Sequence, residues 1–160
     1  MLHVQFLSRS RVRPGVLGIV VVLLLLLAVS PAGALDGYAY HQAVAYSGCD
    51  RAVYQQDLVV HRSAGTPYEE TVGGLNIWHL YVGTNCKTDY GDLRFTDATG
   101  TELAYYLWPD YTTESAKVTV RLEGATSAGS VTMWYGSGGA VTTSDGASTF
   151  FIFDDFETGS

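Results

Sequence analysis

Positive charge is what this chain has least of: nine Lys and Arg stand against sixteen Asp and Glu. Three of the nine, Arg9, Arg11 and Arg13, lie within the first 34 residues, so beyond that point six cations face sixteen carboxylates, a net of −10. A surface of that sign argues against nucleic acid or anionic lipid as partner, because phosphate needs a basic patch. It suits an exported domain kept soluble by its own charge. Cysteine is equally scarce. The two present, Cys49 and Cys86, both follow the leader; in an oxidising exterior they most simply pair, closing a loop worth roughly 3–4 kcal/mol. Two buried free thiols are the other reading.

Catalytic signatures are missing as well. There is no Gly-x-Ser-x-Gly, and Tyr135-Gly-Ser-Gly-Gly139 has neither the lysine nor the following helix of a phosphate loop. Its simplest role is a turn. No EF-hand pattern occurs, which leaves calcium only the looser option of loop carboxylates and carbonyls. Beyond the leader no 3.6-residue apolar repeat is found, so amphipathic helices are not expected.

The first 34 residues read as a processing segment. An arginine-bearing start, a leucine- and valine-rich core from Val16 to Val29, and small residues at Ala32-Gly33-Ala34 describe a secretory signal peptide cut before Leu35. An uncleaved anchor over residues 16–29, forming a hydrophobic leader helix, is the alternative; the core is short for a span of about 20 residues and Pro31 ends it. Residues 35–160 are then a single exported domain of 126 residues, long enough for a core.

Within that domain the pattern is strand and turn. Asp92-Leu-Arg-Phe-Thr96 alternates, Asp97-Ala-Thr-Gly100 supplies turn residues, and Glu102 to Leu107 should return as the second arm of a hairpin. Ala116 to Leu122 sets Val118, Val120 and Leu122 on one face against Lys117, Thr119 and Arg121. Val131 to Tyr135 alternates again, and residues 89–135 as a whole read as an antiparallel meander. Upstream, Asp36 to His41 reads either as an edge strand or as an ordered arm, and Ala43 to Tyr46 as a second short strand. Ala52 to Arg62 is a long one with Leu58 and Val60 inward. Leu75 to Val82, after the Gly73-Gly74 break, has a mixed run suggesting burial on both faces. The class is all-β: an antiparallel β-sandwich, jelly-roll-like.

Candidate chemistry is sparse. His41, His61 and His79 show no metal-ligand spacing, so no metal is expected; His61 and His79 are the pair to examine first. Carboxylates cluster at Asp89 with Asp92 and at Asp154, Asp155 and Glu157, but glycoside hydrolysis needs two facing carboxylates at a set distance, which spacing along the chain does not supply. Aromatic residues are the remaining signal. Tyr105, Tyr106, Trp108 and Tyr111 form the densest group, and Trp134 stands on the polar face of its strand, the better placed for exposure.

Six ordered segments resemble one family: Asp92-Leu-Arg-Phe-Thr-Asp97, Gly100-Thr-Glu-Leu-Ala-Tyr105, the strand around Val118 to Leu122, Met133-Trp-Tyr-Gly136, Thr143-Ser-Asp-Gly146 and Phe151-Ile-Phe-Asp-Asp-Phe156. They are similar to successive motifs of the domain of unknown function family 2341. The resemblance implies an exported or surface module of archaea and bacteria, often set directly before a concanavalin A-like lectin/glucanase domain that begins near a Phe-Asp-Asp-Phe sequence. Here four residues follow Phe156, so a stand-alone module and a truncated frame both remain open. The early Trp and basic residue usual in that family are replaced by Tyr54-Gln-Gln. The expectation is a secreted or cell-surface, non-catalytic module recognising glycans or other surface proteins, with no cofactor. A structural or adhesive domain is the alternative, and a glycoside-active enzyme ranks last.

Overall fold

The computed structural model describes residues 34–47, 53–123 and 128–152. The expected leader apart from Ala34, Cys49, and the part of the expected late strand from Phe153 to Phe156 lie outside the described residues. Eight strands form two sheets. Sheet A has the order β1-β8-β5, from Tyr40–Ser47, Ala128–Tyr135 and Arg94–Thr96. Sheet B has the order β3-β4-β2-β7-β6, from Tyr68–Val72, Leu75–Tyr81, Val53–His61, Ser115–Glu123 and Tyr105–Leu107. A one-turn helix, α1, follows at Gly146–Thr149, capped by Asp145, whose side chain accepts from the Ser148 amide.

Alternation explains why these segments bury the faces they do. Leu58 and Val60 of β2, and Val118, Val120 and Leu122 of β7, are buried, as are Val131 and Met133 of β8, Val44 of β1 and Phe95 of β5. Together with Tyr105 they make one core cluster drawn from both sheets, and the Phe95 and Tyr105 rings meet across it at 5.2 Å. Each such side chain contributes roughly 1.5–3 kcal/mol by leaving water. The sandwich class expected from the pattern is the one observed.

Pairing differs from expectation in three places. The turn at Asp97 forms, with the Gly100 amide donating to Asp97 O and Gly100 at φ +90. After the single Thr96↔Glu102 bridge, however, the two arms part. β5 joins β8 in sheet A, while β6 joins β7 in sheet B. Residues 89–135 are therefore not a meander but the two ends of a sandwich, because Phe95 and Tyr105 gain more by facing each other across the core than by lying side by side. Second, β3 was not foreseen. It is exposed at every position and joins β4 through the two-residue turn Gly73-Gly74, both glycines at positive φ. That is the primed hairpin turn such a pair specifies. Third, the hairpin doubles back so that β4 lies beside β2 in parallel. β4 is only partly buried on both faces, with Leu80 its one fully buried residue. Of the two N-terminal segments, residues 36–39 precede the strand, and the rest joins in one strand, β1, paired along its length with β8.

Candidate functional site

On the outer face of sheet B, residues from three strands and α1 converge around Trp108. Its indole Nε1–H donates to Thr119 Oγ1 at 3.0 Å, and Thr119 in turn donates to Asp57 Oδ1 at 2.6 Å. Lys117 Nζ lies 3.6 Å from Asp57 Oδ2 and 4.9 Å from the centre of the indole ring. The ring is thus held by a hydrogen bond at its edge and a cation against its face. Tyr106 and Phe150 both meet Trp108 edge-on, at 5.4 and 5.9 Å. Beside this cluster runs a groove of about 180 Å³ lined by Tyr54, Gln55, Asp57, Leu75, Asn76, Trp108, Thr119 and Phe150. A wider depression of about 670 Å³ shares Tyr54, Gln55 and Leu75 and adds Val53, Gly74, Arg121 and Phe151.

The five aromatic residues singled out from the sequence do not share a site. Tyr106 and Trp108 come together at the groove. Tyr105, next in the chain but one strand step away, points into the core and is 1% exposed. Tyr111 stands apart, edge-on to Tyr90 at 5.8 Å. Trp134 corrects the expectation of exposure. It does lie on the face of β8 away from the core, yet it is 4% exposed, donating from Nε1 to Thr96 Oγ1 and packed against the His41 ring. Next to it Arg94 is tied down by the carbonyls of Gly91, Leu93 and Val141, which covers the face of sheet A where β5 meets β8. The residues missed from sequence were Tyr54, Gln55, Asn76 and Leu75. Leu75 and Asn76 are brought there by the parallel β2–β4 pairing, and Tyr54 and Gln55 by the pairing of β2 with β7.

The two histidines named as a pair are in contact: His61 Nε2 lies 2.9 Å from His79 Nδ1, and His79 Nε2 lies 3.1 Å from Glu70 Oε2. Burial, and then the neighbouring His79, hold the His61 pKa below its ordinary value. Among the described residues no group of three or more His, Cys, Asp or Glu is arranged to hold a metal.

Cys86 is a buried free thiol, and Cys49, the partner expected for it, lies outside the described residues. Its Sγ donates to Asp92 Oδ1 at 3.1 Å, an oxygen that also accepts from the Lys87 amide, while Oδ2 accepts from the Gly136 amide. Burial, reinforced by the Asp92 carboxylate, pushes the thiol pKa far up. Burial likewise raises the nearby Tyr90 hydroxyl to about 12. Asp92 therefore acts as an internal tie between the 86–92 loop and the end of β8, not as part of an exposed carboxylate pair with Asp89.

No curated protein and no solved structure matches this chain. A family model does match, over residues 89–160, and its description is a domain of unknown function (DUF2341). The matched part takes in β5 to β8 and α1, hence Trp108, Thr119 and Phe150 of the groove, whereas Tyr54, Gln55, Asp57, Leu75 and Asn76 precede it. Residues 89–160 thus match the model of the DUF2341 family, the one the ordered motifs resemble.

Proposed function

We propose that this chain is an exported, non-catalytic recognition module that binds a neutral glycan in the Trp108 groove. The observation that carries the reading is the company kept there: the rings of Trp108 and Phe150 beside Gln55, in a groove whose wall Tyr54, Leu75 and Asn76 complete. Sugars present apolar C–H faces and a rim of hydroxyls, and a few polar groups set among rings are what orients such a ligand. Neutrality follows from the charges already being paired, Asp57 with Lys117 and Arg121 with Glu123. A charged sugar would have to break one of these pairs. The test is glycan-array binding by the parent, Trp108→Ala and Tyr106→Ala. A loss of tenfold or more in Trp108→Ala, about 1.4 kcal/mol, with the fold retained, supports the reading. Absence of binding by the parent, or unchanged binding in both variants, overturns it.

A second reading, an adhesive domain that docks protein, draws on Leu75, Phe151 and Ile152, which are 60%, 95% and 85% exposed beside the same depression. A contiguous apolar patch of this kind favours a protein surface over a sugar. Concentration-dependent self-association or protein capture that is lost in Leu75→Ser and kept in Trp108→Ala would select it.

A further inference from the structure

The outer face of sheet B carries a second constellation, at the end of β2 and β4 remote from the groove. Glu70 of β3, His79 of β4 and His61 of β2 form a continuous hydrogen-bonded row, with contacts of 3.1 and 2.9 Å. The two imidazole centres are 5.2 Å apart and the rings lie 14° from coplanar. That centre-to-centre distance exceeds the nitrogen–nitrogen distance by about two imidazole radii, so the touching nitrogens lie on the line joining the rings. Two ligands of one metal ion would instead aim their lone pairs at a common point off that line. The arrangement holds a proton.

The carboxylate fixes where the protons sit. A carboxylate only accepts, so His79 carries its hydrogen on Nε2, and neutral His79 then offers Nδ1 as a lone pair. His61 must donate to it from Nε2, which leaves His61 Nδ1 as the open base of the row. A first added proton goes to that nitrogen and every hydrogen bond survives. A second has only His79 Nδ1 to occupy, where it meets the His61 N–H head-on between two cations. His79 stays with Glu70, which gains charge by the change, so the contact that fails is the one between β4 and β2.

The surroundings concentrate the effect at one place. On β3, Tyr68 stacks on His79 at 4.4 Å beside Glu70; on β4, Tyr81 stacks on His61 at 4.8 Å. On β7, Ser115 pairs with His61, and the nearest cation of that strand, Lys117, is engaged by Asp57. Arg62, next along the chain, spends its guanidinium on the carbonyls of Cys86 and Thr113, and the Glu114 carbonyl accepts the Arg62 amide. None of these offers His61 a counter-charge. The opposite end of the β2–β4 seam is pinned by buried Gln56, whose Nε2 donates to Asn76 O at 2.8 Å.

We propose that the Glu70–His79–His61 row is a proton-counting latch, closed with no added proton or one, whose second proton opens the β2–β4 seam at its His61 and Tyr81 end. Burial, and then His79, lower the His61 pKa, which makes the first proton costlier in the folded chain without opening the row. The unfolded histidine takes a proton near its ordinary value of about 6.5, so the stability that neutral His61 contributes is complete above that value, falls as pH drops below it, and levels off once the folded group is also charged.

Imidazole nitrogen–proton correlation spectra of the ¹⁵N-labelled chain, titrated from about pH 8 to about pH 4.5, test the proposal together with amide exchange. The expected result is Nε2–H tautomers for both rings at the start and two titration steps separated by about one pH unit or more. Protection of the Tyr81 and Val82 amides should fall about tenfold or more across the second step, with β8 unchanged. His61→Gln, which removes one of the two charges, should abolish that pH dependence. Coincident steps at the ordinary histidine value, a different starting tautomer, or a loss of protection that persists in His61→Gln overturns the latch. The tautomers and steps of the parent decide even if the variant fails to fold.

Discussion

The two outer faces of this sandwich have been treated in opposite ways. On sheet A the outer side chains where β5 meets β8 are covered: Trp134, Arg94 and Thr96 are 4%, 8% and 1% exposed, and Tyr38 and Val141 reach Arg94 from two other segments, while the outer side chains of β1 stay exposed. On sheet B the corresponding face keeps Trp108, Tyr106, His61 and His79 only half-buried, with a groove at one end and the histidine row at the other. Both faces carry a tryptophan with its indole N–H donating to a threonine hydroxyl. The difference is what lies on top. A covered face adds to stability, and an uncovered one is available to a ligand.

That contrast is most directly broken by removing each tryptophan in turn. Trp134→Ala should cost about 3–5 kcal/mol in denaturant unfolding, the range for deleting a buried large aromatic, with no direct effect at the groove. Trp108→Ala should cost only about 1–2 kcal/mol. Equal losses in the two would mean that Trp108 is structural and the faces are alike.

Asp92→Asn sharpens the covered side and ranks next. The amide cannot accept from the Lys87 and Gly136 amides and from Cys86 at once, so one donor loses its partner, at about 1–3 kcal/mol. Alkylation of Cys86 in the native protein should be slow even at mildly alkaline pH, since only the thiolate reacts and burial disfavours it, and Asp92→Asn should speed it. Were Cys86 bridged to Cys49 instead, the unfolded, unreduced chain would take up no alkylating agent at all.

The smallest effect is expected at the turn between the sheets. Hydrogen bonds from the Thr99 hydroxyl, then from the Thr101, Thr99 and Gly100 amides, lower the Asp97 pKa. A depressed carboxylate stabilises the fold above its unfolded pKa and loses that contribution as pH falls through the folded one. The group is exposed, so Asp97→Asn should cost no more than a few tenths of a kcal/mol near neutrality. It should also flatten the acid limb of the stability profile below about pH 4. A larger change would mean that this turn, at the point where β5 and β6 part, governs how the sheets separate.

Much of the inner face was legible because alternation is a local property. Leu58, Val60, Val118, Val120 and Leu122 had to point one way once their segments were extended. Partner choice was not legible, because the Asp97 turn is compatible both with a hairpin and with the crossing that puts β5 and β6 in different sheets. Trp134 shows the limit of the polar-face argument: its side of the strand was read correctly, but the His41 ring and Thr96, brought beside it by the two neighbouring strands, cover it. His61 and His79 were the right pair to watch although nothing in their spacing joined them; a hairpin inserted between them does.

The sequence by itself determined the strand pattern, the alternation that divides core from surface, the acidic balance and the family motifs of residues 89–160, because these depend on neighbours one or two residues apart. Tertiary structure alone decided which sheet each strand entered, that Cys86 pairs with a carboxylate, and that Trp108 and Asn76 line one groove while His61 meets Glu70 through His79. Those contacts join residues from strands whose order in space is not their order in the chain, and only burial of a common core sets that order.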